Sequence, residues 1–180
     1  LTTGIQNTFL GGLAGDALTD ADFNVALGYA ALSADTLGSR SIAIGRGALL
    51  AQNFTTATDT YNTAVGHFAG GSVTTGQFNT LIGGLAGDAL TTGNTNTAVG
   101  YIALTNDTLG DRNVAIGFQS LGAQNFTTST DSYNTAVGYD SGASITTGKF
   151  NTFVGGLAGD GTDDGEGNTA VGYLALSANC

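Results

Sequence analysis

The strongest constraint on this chain is a five-residue phrase that keeps returning. Asn-Thr-Ala-Val-Gly occupies Asn62 to Gly66 and begins again at Asn96, Asn134 and Asn168, with close variants from Asn7, Asn24, Ser41, Asn79, Asn113 and Asn151. Between successive copies the chain advances 17, 17, 21, 17, 17, 17, 21, 17 and 17 residues, so that four short repeats make a unit of 72. Residues 7–78 align with 79–150 without a gap, and 151–180 opens a third unit. A repeat this short cannot bury a core by itself and becomes stable only by stacking on its neighbours. The period therefore predicts one quasi-one-dimensional repeat domain over 1–180. Because the chain starts in mid-pattern at Leu1 and stops inside its tenth repeat, it reads as a fragment of a longer fibrous protein.

Numbered from the Asn, the columns of the repeat take distinct roles. Column 4 holds Leu10, Leu27, Ile44, Val65, Ile82, Val99, Ile116, Val137, Val154 and Val171, always aliphatic, and is the expected structural core. Column 2 alternates Thr8, Thr63 and Thr97 with Val25, Ile42 and Val114 on the same face of a strand, whose side chains repeat every second residue. Column 5 is Gly in all ten copies and column 8 is always Ala or Ser, so something packs closely against both. A polar turn then leads to a second short strand such as Val73 to Thr75 or Ile145 to Thr147, and a Gly near column 15 turns the chain back. Each repeat is thus expected to be one coil of a β-solenoid with two short strands. The absence of Pro fits, since every strand N–H must donate to the next coil. Asn in column 1, replaced only by Ser41, is placed to form a ladder of stacked amides. At roughly 4.8 Å per coil, ten coils make a rod about 45 to 50 Å long.

Columns 3 and 6 trade size. Phe9, Leu81 and Phe153 in column 3 go with Gly12, Gly84 and Gly156 in column 6, while Ala in column 3 goes with Tyr29, Arg46, His67, Tyr101, Phe118, Tyr139 or Tyr173. Such volume balance is expected of side chains that share a packing layer. The 21-residue steps insert four residues after the first strand of the third coil of each unit, giving Ala51 to Asp59 and its near copy Ala123 to Asp131. These are expected to protrude as loops from one edge of the rod, about 19 Å apart. They offer Phe54, Thr55, Thr56, Thr58 and Asp59, and Phe126, Thr127, Thr128 and Asp131, as candidate receptor contacts.

Charge and chemistry exclude several functions. Fourteen acidic groups face only Arg40, Arg46, Arg112 and Lys149, for a net charge of -10, which does not suit nucleic acid or an anionic membrane surface. No apolar run reaches the roughly 20 residues that span a bilayer, so no direct membrane insertion is expected. Cys180 is the only cysteine and permits no internal disulfide. His67, the single histidine, lacks the partners that general-base work or zinc requires, and no Gly-x-Ser-x-Gly elbow occurs. The phrase Gly11 to Asp16, repeated at Gly83 to Asp88 and Gly155 to Asp160, lacks the Lys of a phosphate loop. Asp160, Asp163, Asp164 and Glu166 crowd one turn without the spacing of a calcium loop. No catalytic residue, cofactor or metal site is therefore expected, and the chain reads as a non-enzyme. Thr19, Thr36, Thr74, Thr91, Thr108 and Thr146 share column 13, which raises the alternative of a single-chain solenoid that binds ice. A further alternative is a self-stacking filament subunit.

The phrases Asn62 to Gly66, Ser41-Ile-Ala-Ile-Gly45 and Asn113-Val-Ala-Ile-Gly117, each with Ala or Ser in column 8, resemble the head repeats of trimeric autotransporter adhesins. Asn96-Thr-Ala-Val-Gly-Tyr-Ile-Ala-Leu104 is similar to repeats of phage tail-fibre proteins and related bacterial surface proteins. The resemblance runs from residue 7 to the end, although the 72-residue order and the 21-residue coils depart from that family's pattern. It implies a left-handed parallel β-roll in a homotrimer, with column 4 facing the trimer interior and the small columns 5 and 8 letting neighbouring chains approach. The implied function is a structural segment of an extracellular fibre, on a cell surface or a virion. It would serve as a rigid spacer with an adhesive surface, its partners being two further copies of itself and a cell-surface receptor or glycan.

Overall fold

Column 2 is β-branched and column 4 aliphatic in every copy, and columns 2 to 4 alone form strand in every coil. A computed structural model of the protein describes residues 2–177, so Cys180 and the statement about its pairing lie outside the described residues. Ten three-residue strands, from Thr8–Leu10 and Val25–Leu27 through Thr97–Val99 and Val114–Ile116 to Thr152–Val154 and Thr169–Val171, pair in parallel and in chain order into one sheet. Register is column on column: Ala98 pairs with Ala115, and across a 21-residue step Ala115 pairs with Ala136. The four extra residues therefore leave the sheet undisturbed. The chain is a β-solenoid of ten stacked coils, with no helix among the described residues.

The expected second strand is absent from most coils. Val73 and Ile145 point inward and are buried, but the residues around them are turns and bends. Short parallel pairs form only where a 21-residue coil meets the coil before it, Gly38–Ser39 with Thr58–Asp59 and Gly110–Asp111 with Thr130–Asp131. The backbone instead turns through residues in the left-handed region at three columns. These are column 7 (Leu13, Ala30, Phe68), column 9 (Leu32, Leu104, Leu121) and the last residue before the Asn (Arg40, Tyr61, Arg112). Each such residue costs roughly 1 kcal/mol when it is not Gly. Bonds between coils hold them there: Phe68 N–H donates to Arg46 C=O at 2.9 Å, Leu104 N–H to Ser120 C=O at 3.0 Å, and Arg112 N–H to Asn94 C=O at 3.0 Å. Hydrogen bonding between coils thus continues around the corners where the sheet ends.

The interior corrects the expectation for column 4. Strand alternation turns columns 1 and 3 inward and columns 2 and 4 outward. Ala26, Ala43, Ala64, Leu81, Ala98, Ala115, Ala136 and Phe153 of column 3 are fully buried. Column 4 lies on the outer surface of the single chain: Leu10, Ile82, Ile116, Val154 and Val171 are exposed, and Leu27, Ile44, Val65, Val99 and Val137 are half-buried. Only beside a column 9 Gly, at Phe9, Leu81 and Phe153, does a large column 3 residue enter the interior. Ala from columns 3 and 8 fills it together with Leu from columns 9 and 12. Column 8 is therefore small because it lies inside this chain, and column 5 because the next coil passes against it.

The size trade has a different partner from the expected one. Column 6 projects outward, away from column 3, and the group that makes room for a large column 3 residue is the column 9 Gly. A Cβ on Gly15 would lie 2.8 Å from the Phe9 ring, on Gly87 2.8 Å from Leu81, and on Gly159 2.5 Å from Phe153. Leu81 also fills the space over Gly70 in the preceding coil. Where column 3 is Ala26, Ala43, Ala98 or Ala115, column 9 is Leu32, Leu49, Leu104 or Leu121. Ala64 with Gly70 and Ala136 with Gly142 are small in both columns, and Leu81 and Phe153 of the following coils reach over those glycines, so volume is balanced between neighbouring coils as well as within one.

Candidate functional site

Without a catalytic constellation in the sequence, the places that can act on other molecules are surfaces. The first is the outer face of the sheet, where column 4 and the Thr, Val and Ile of column 2 form an unpaired field along the whole rod. Rows of rings border it on both sides. Before the strands, Tyr61 stacks on Phe78 with centroids 5.9 Å apart, Tyr133 on Phe150 at 6.0 Å, and Arg40 lies 4.7 Å above the Phe23 ring. After them, Phe118 stacks on Tyr139 at 5.2 Å, and the column 6 glycines Gly12, Gly84 and Gly156 lie under Tyr29, Tyr101 and Tyr173 of the following coil. Nearly all the large apolar groups exposed on the molecule belong to this face and its borders. Exposed apolar surface of that extent marks an interaction site.

The second surface is the pair of inserted loops. Thr55, Thr56, Asp59, Thr127, Thr128 and Asp131 are exposed as expected, and Thr58 is half-buried, its hydroxyl donating to Thr56 C=O at 2.9 Å. Phe54 and Phe126 are corrected: both are 6 % exposed, turned inward as plugs rather than outward as contacts. Asp59 and Asp131 are already engaged, by Arg40 at 2.9 Å and by Arg112.

What holds the plugs is a buried polar pair that the sequence reading missed. In column 12 the residues run Leu18, Asp35, Gln52, Val73 and then Leu90, Asp107, Gln124, Ile145, all fully buried. Asp35 Oδ2 accepts from Gln52 Nε2 at 2.6 Å, and its Oδ1 accepts from the N–H groups of Phe54 at 3.0 Å and Gly38 at 3.1 Å. Gln52 Oε1 in turn accepts from Asn62 Nδ2 at 2.9 Å. The second unit repeats this with Asp107, Gln124, Phe126 and Asn134. Burial raises the Asp107 pKa above the usual carboxylate value, against the hydrogen bonds from Gln124, Phe126 and Gly110 that lower it. The signal was in column 12, where a polar pair recurs every 72 residues in an otherwise apolar column.

Column 1 bonds differently from a stack of amides. Asn96 Oδ1 accepts from the backbone N–H of Asn113 at 2.9 Å, while its Nδ2 donates to Gly110 C=O at 2.9 Å within its own coil. Seven of the nine Asn so close their own coil, while Asn113 and Asn168 instead donate Nδ2 to the amide oxygens of Asn96 and Asn151. The column 13 hydroxyls are also engaged, Thr74 donating to Thr91 C=O at 3.1 Å and Thr91 to Thr108 C=O at 3.0 Å. In the acidic turn, Asp163 takes the Thr146 hydroxyl, and no group of three potential metal ligands converges among the described residues. No family model, no curated protein and no solved structure matches this chain.

Proposed function

We propose that this chain is a non-enzymatic structural segment of an extracellular fibre, of phage tail-fibre or bacterial surface-adhesin type, in which three copies associate side by side as left-handed β-rolls. The observation that carries this reading is the apolar outer face of the sheet. Ile82 and Ile116, far from either end, are 38 % and 37 % exposed on a single chain, in one continuous field with their neighbours in column 4. A self-complementary strip running along the rod suits association of parallel copies about a common axis. The rod then acts as a rigid spacer, and the loops around Thr55 to Asp59 and Thr127 to Asp131 are its adhesive surface toward a cell-surface receptor or glycan. Light scattering on the folded chain with reductant present tests this. Three times the chain mass is expected, falling to one in Ile82→Lys/Ile116→Lys with an unchanged circular dichroism spectrum, because both side chains point away from the coil interior. A monomeric wild-type chain would reject the assembly.

One observation favours a second reading, a single-chain solenoid that binds ice. Thr63, Thr80, Thr97, Thr135 and Thr152 share the open sheet face with Val65, Ile82, Val99, Val137 and Val154 in a regular array. A monomer with thermal hysteresis in dilute solution would select it.

A further inference from the structure

The two 72-residue units offer an internal comparison. They differ at 26 of 72 positions, yet at six of the eight residues around one groove. Ala30, Ser33, Arg46, Gly47, Leu50 and Phe68 stand where the second unit has Ile102, Thr105, Phe118, Gln119, Gly122 and Asp140. Tyr29 and Leu13 complete the wall of this cavity of about 270 Å³. Its shape depends on Gly47, whose φ is +66° and on which a Cβ would lie 2.6 Å from the Phe68 ring. The ring can lie across the corner only because that Cβ is missing. Arg46 sits between two aromatic faces, its guanidinium carbon 4.9 Å from the Phe68 centroid and 6.0 Å from that of Tyr29. Arg40, Arg112 and Lys149 each have a carboxylate partner; among the described residues none reaches Arg46, whose Nη1 lies 3.4 Å from His67 Nε2. In the second unit the cation is replaced by Phe118, stacked on Tyr139, and Asp140 stands in place of Phe68.

We propose that this groove binds an acidic sugar, a six-membered ring carrying a carboxylate. The guanidinium fork matches a carboxylate, and ring faces such as those of Tyr29 and Phe68 suit the apolar face of a pyranose. Ser33 adds a hydroxyl to the groove wall as a partner for the sugar hydroxyls, which an aromatic acid would leave unused. The groove lies at columns 6, 7 and 10, on the border of the sheet face assigned to neighbouring copies and away from the column 14 loops. It therefore goes beyond the fibre reading, and the scattering mass reports on that reading separately.

The test is a calorimetric titration of the full chain, in whatever assembly it forms, with methyl glucuronide and with methyl glucoside. The glucuronide is expected to bind with a Kd of about 1 mM, at least about tenfold tighter than the neutral sugar. Arg46→Gln should weaken the glucuronide by about tenfold or more and leave the glucoside unchanged. Phe68→Asp should weaken both. Circular dichroism of each variant serves as the fold control. Equal affinity for the two sugars, no detectable glucuronide binding, or an Arg46→Gln variant that binds as the wild type does would each overturn the proposal.

Discussion

A Cβ placed on Gly28 would lie 2.7 Å from both the carbonyl carbon and the carbonyl oxygen of Gly45, in a backbone at φ +130°. Neither coil can yield without breaking the ladder that joins them. Gly28→Ala is expected to destabilise by about 3 kcal/mol or more, measured by chemical denaturation. Gly84 stands in a similar run of small residues but behaves differently. Its Cβ would meet the Tyr101 ring at 3.3 Å, so Gly84→Ala should cost less than about 1 kcal/mol, because an exposed ring can shift. The ten-fold recurrence of Gly in column 5 was enough to read a close backbone approach from the sequence. The left-handed corners at Leu32, Leu104 and Leu121 were not readable, since Leu carries no turn signal and only the bonds from the next coil keep it there.

Between neighbouring elements, the exchange of volume between columns 3 and 9 invites a double-mutant cycle. Leu81→Ala should cost about 2 to 4 kcal/mol through the cavity it leaves, and Gly87→Leu should destabilise by overpacking against Leu81. The double variant reproduces the Ala98 and Leu104 pairing of the next coil and should recover part of the loss, the space over Gly70 staying unfilled. Strictly additive costs would show that the two columns do not share one layer. The loop anchor carries a pH signature. Because the folded-state pKa of Asp107 is raised, the folded chain keeps a proton that the unfolded chain releases from about pH 4 upward. Its contribution is most favourable below that value, falls as pH rises through the raised pKa, and is constant above it. Asp107→Asn removes this titration. The difference in melting temperature between wild type and variant should therefore change across that window and flatten above it, and a constant difference would refute the anchor's raised pKa. The inward turn of Phe54 and Phe126 belongs to this scale too. Beside the three Thr of each loop the aromatic reads as a loop tip, and only the buried carboxylate 19 residues before each one reveals it as a plug.

At the scale of the whole molecule, each coil bonds only to the coils on either side, so stability should be close to a sum over coils. Deleting residues 79–150, one complete unit, joins Phe78 to Asn151 in the same register in which it now joins Asn79. The shortened chain is expected to fold with unchanged spectra and a rod about 19 Å shorter by small-angle scattering. Deleting the single coil 96–112 removes Asp107 while keeping Gln124 and Phe126, and should melt lower than the 72-residue deletion despite being longer. The opposite order would show that the four-coil unit has no structural meaning. The sequence alone determined the period, the solenoid, the column-on-column register and the placement of the insertions, because these follow from spacing, and a chain stacked on itself turns spacing directly into position. It did not determine which face of the strand points inward. Hydrophobicity put column 4 in the core; closure of the coil put column 3 there and turned the aliphatic column outward, because interior volume is shared among columns 3, 8, 9 and 12 and is not set by any one column. The groove at Arg46 is likewise a product of tertiary structure, since Tyr29, Arg46 and Phe68 come from three successive coils and meet only when those coils stack.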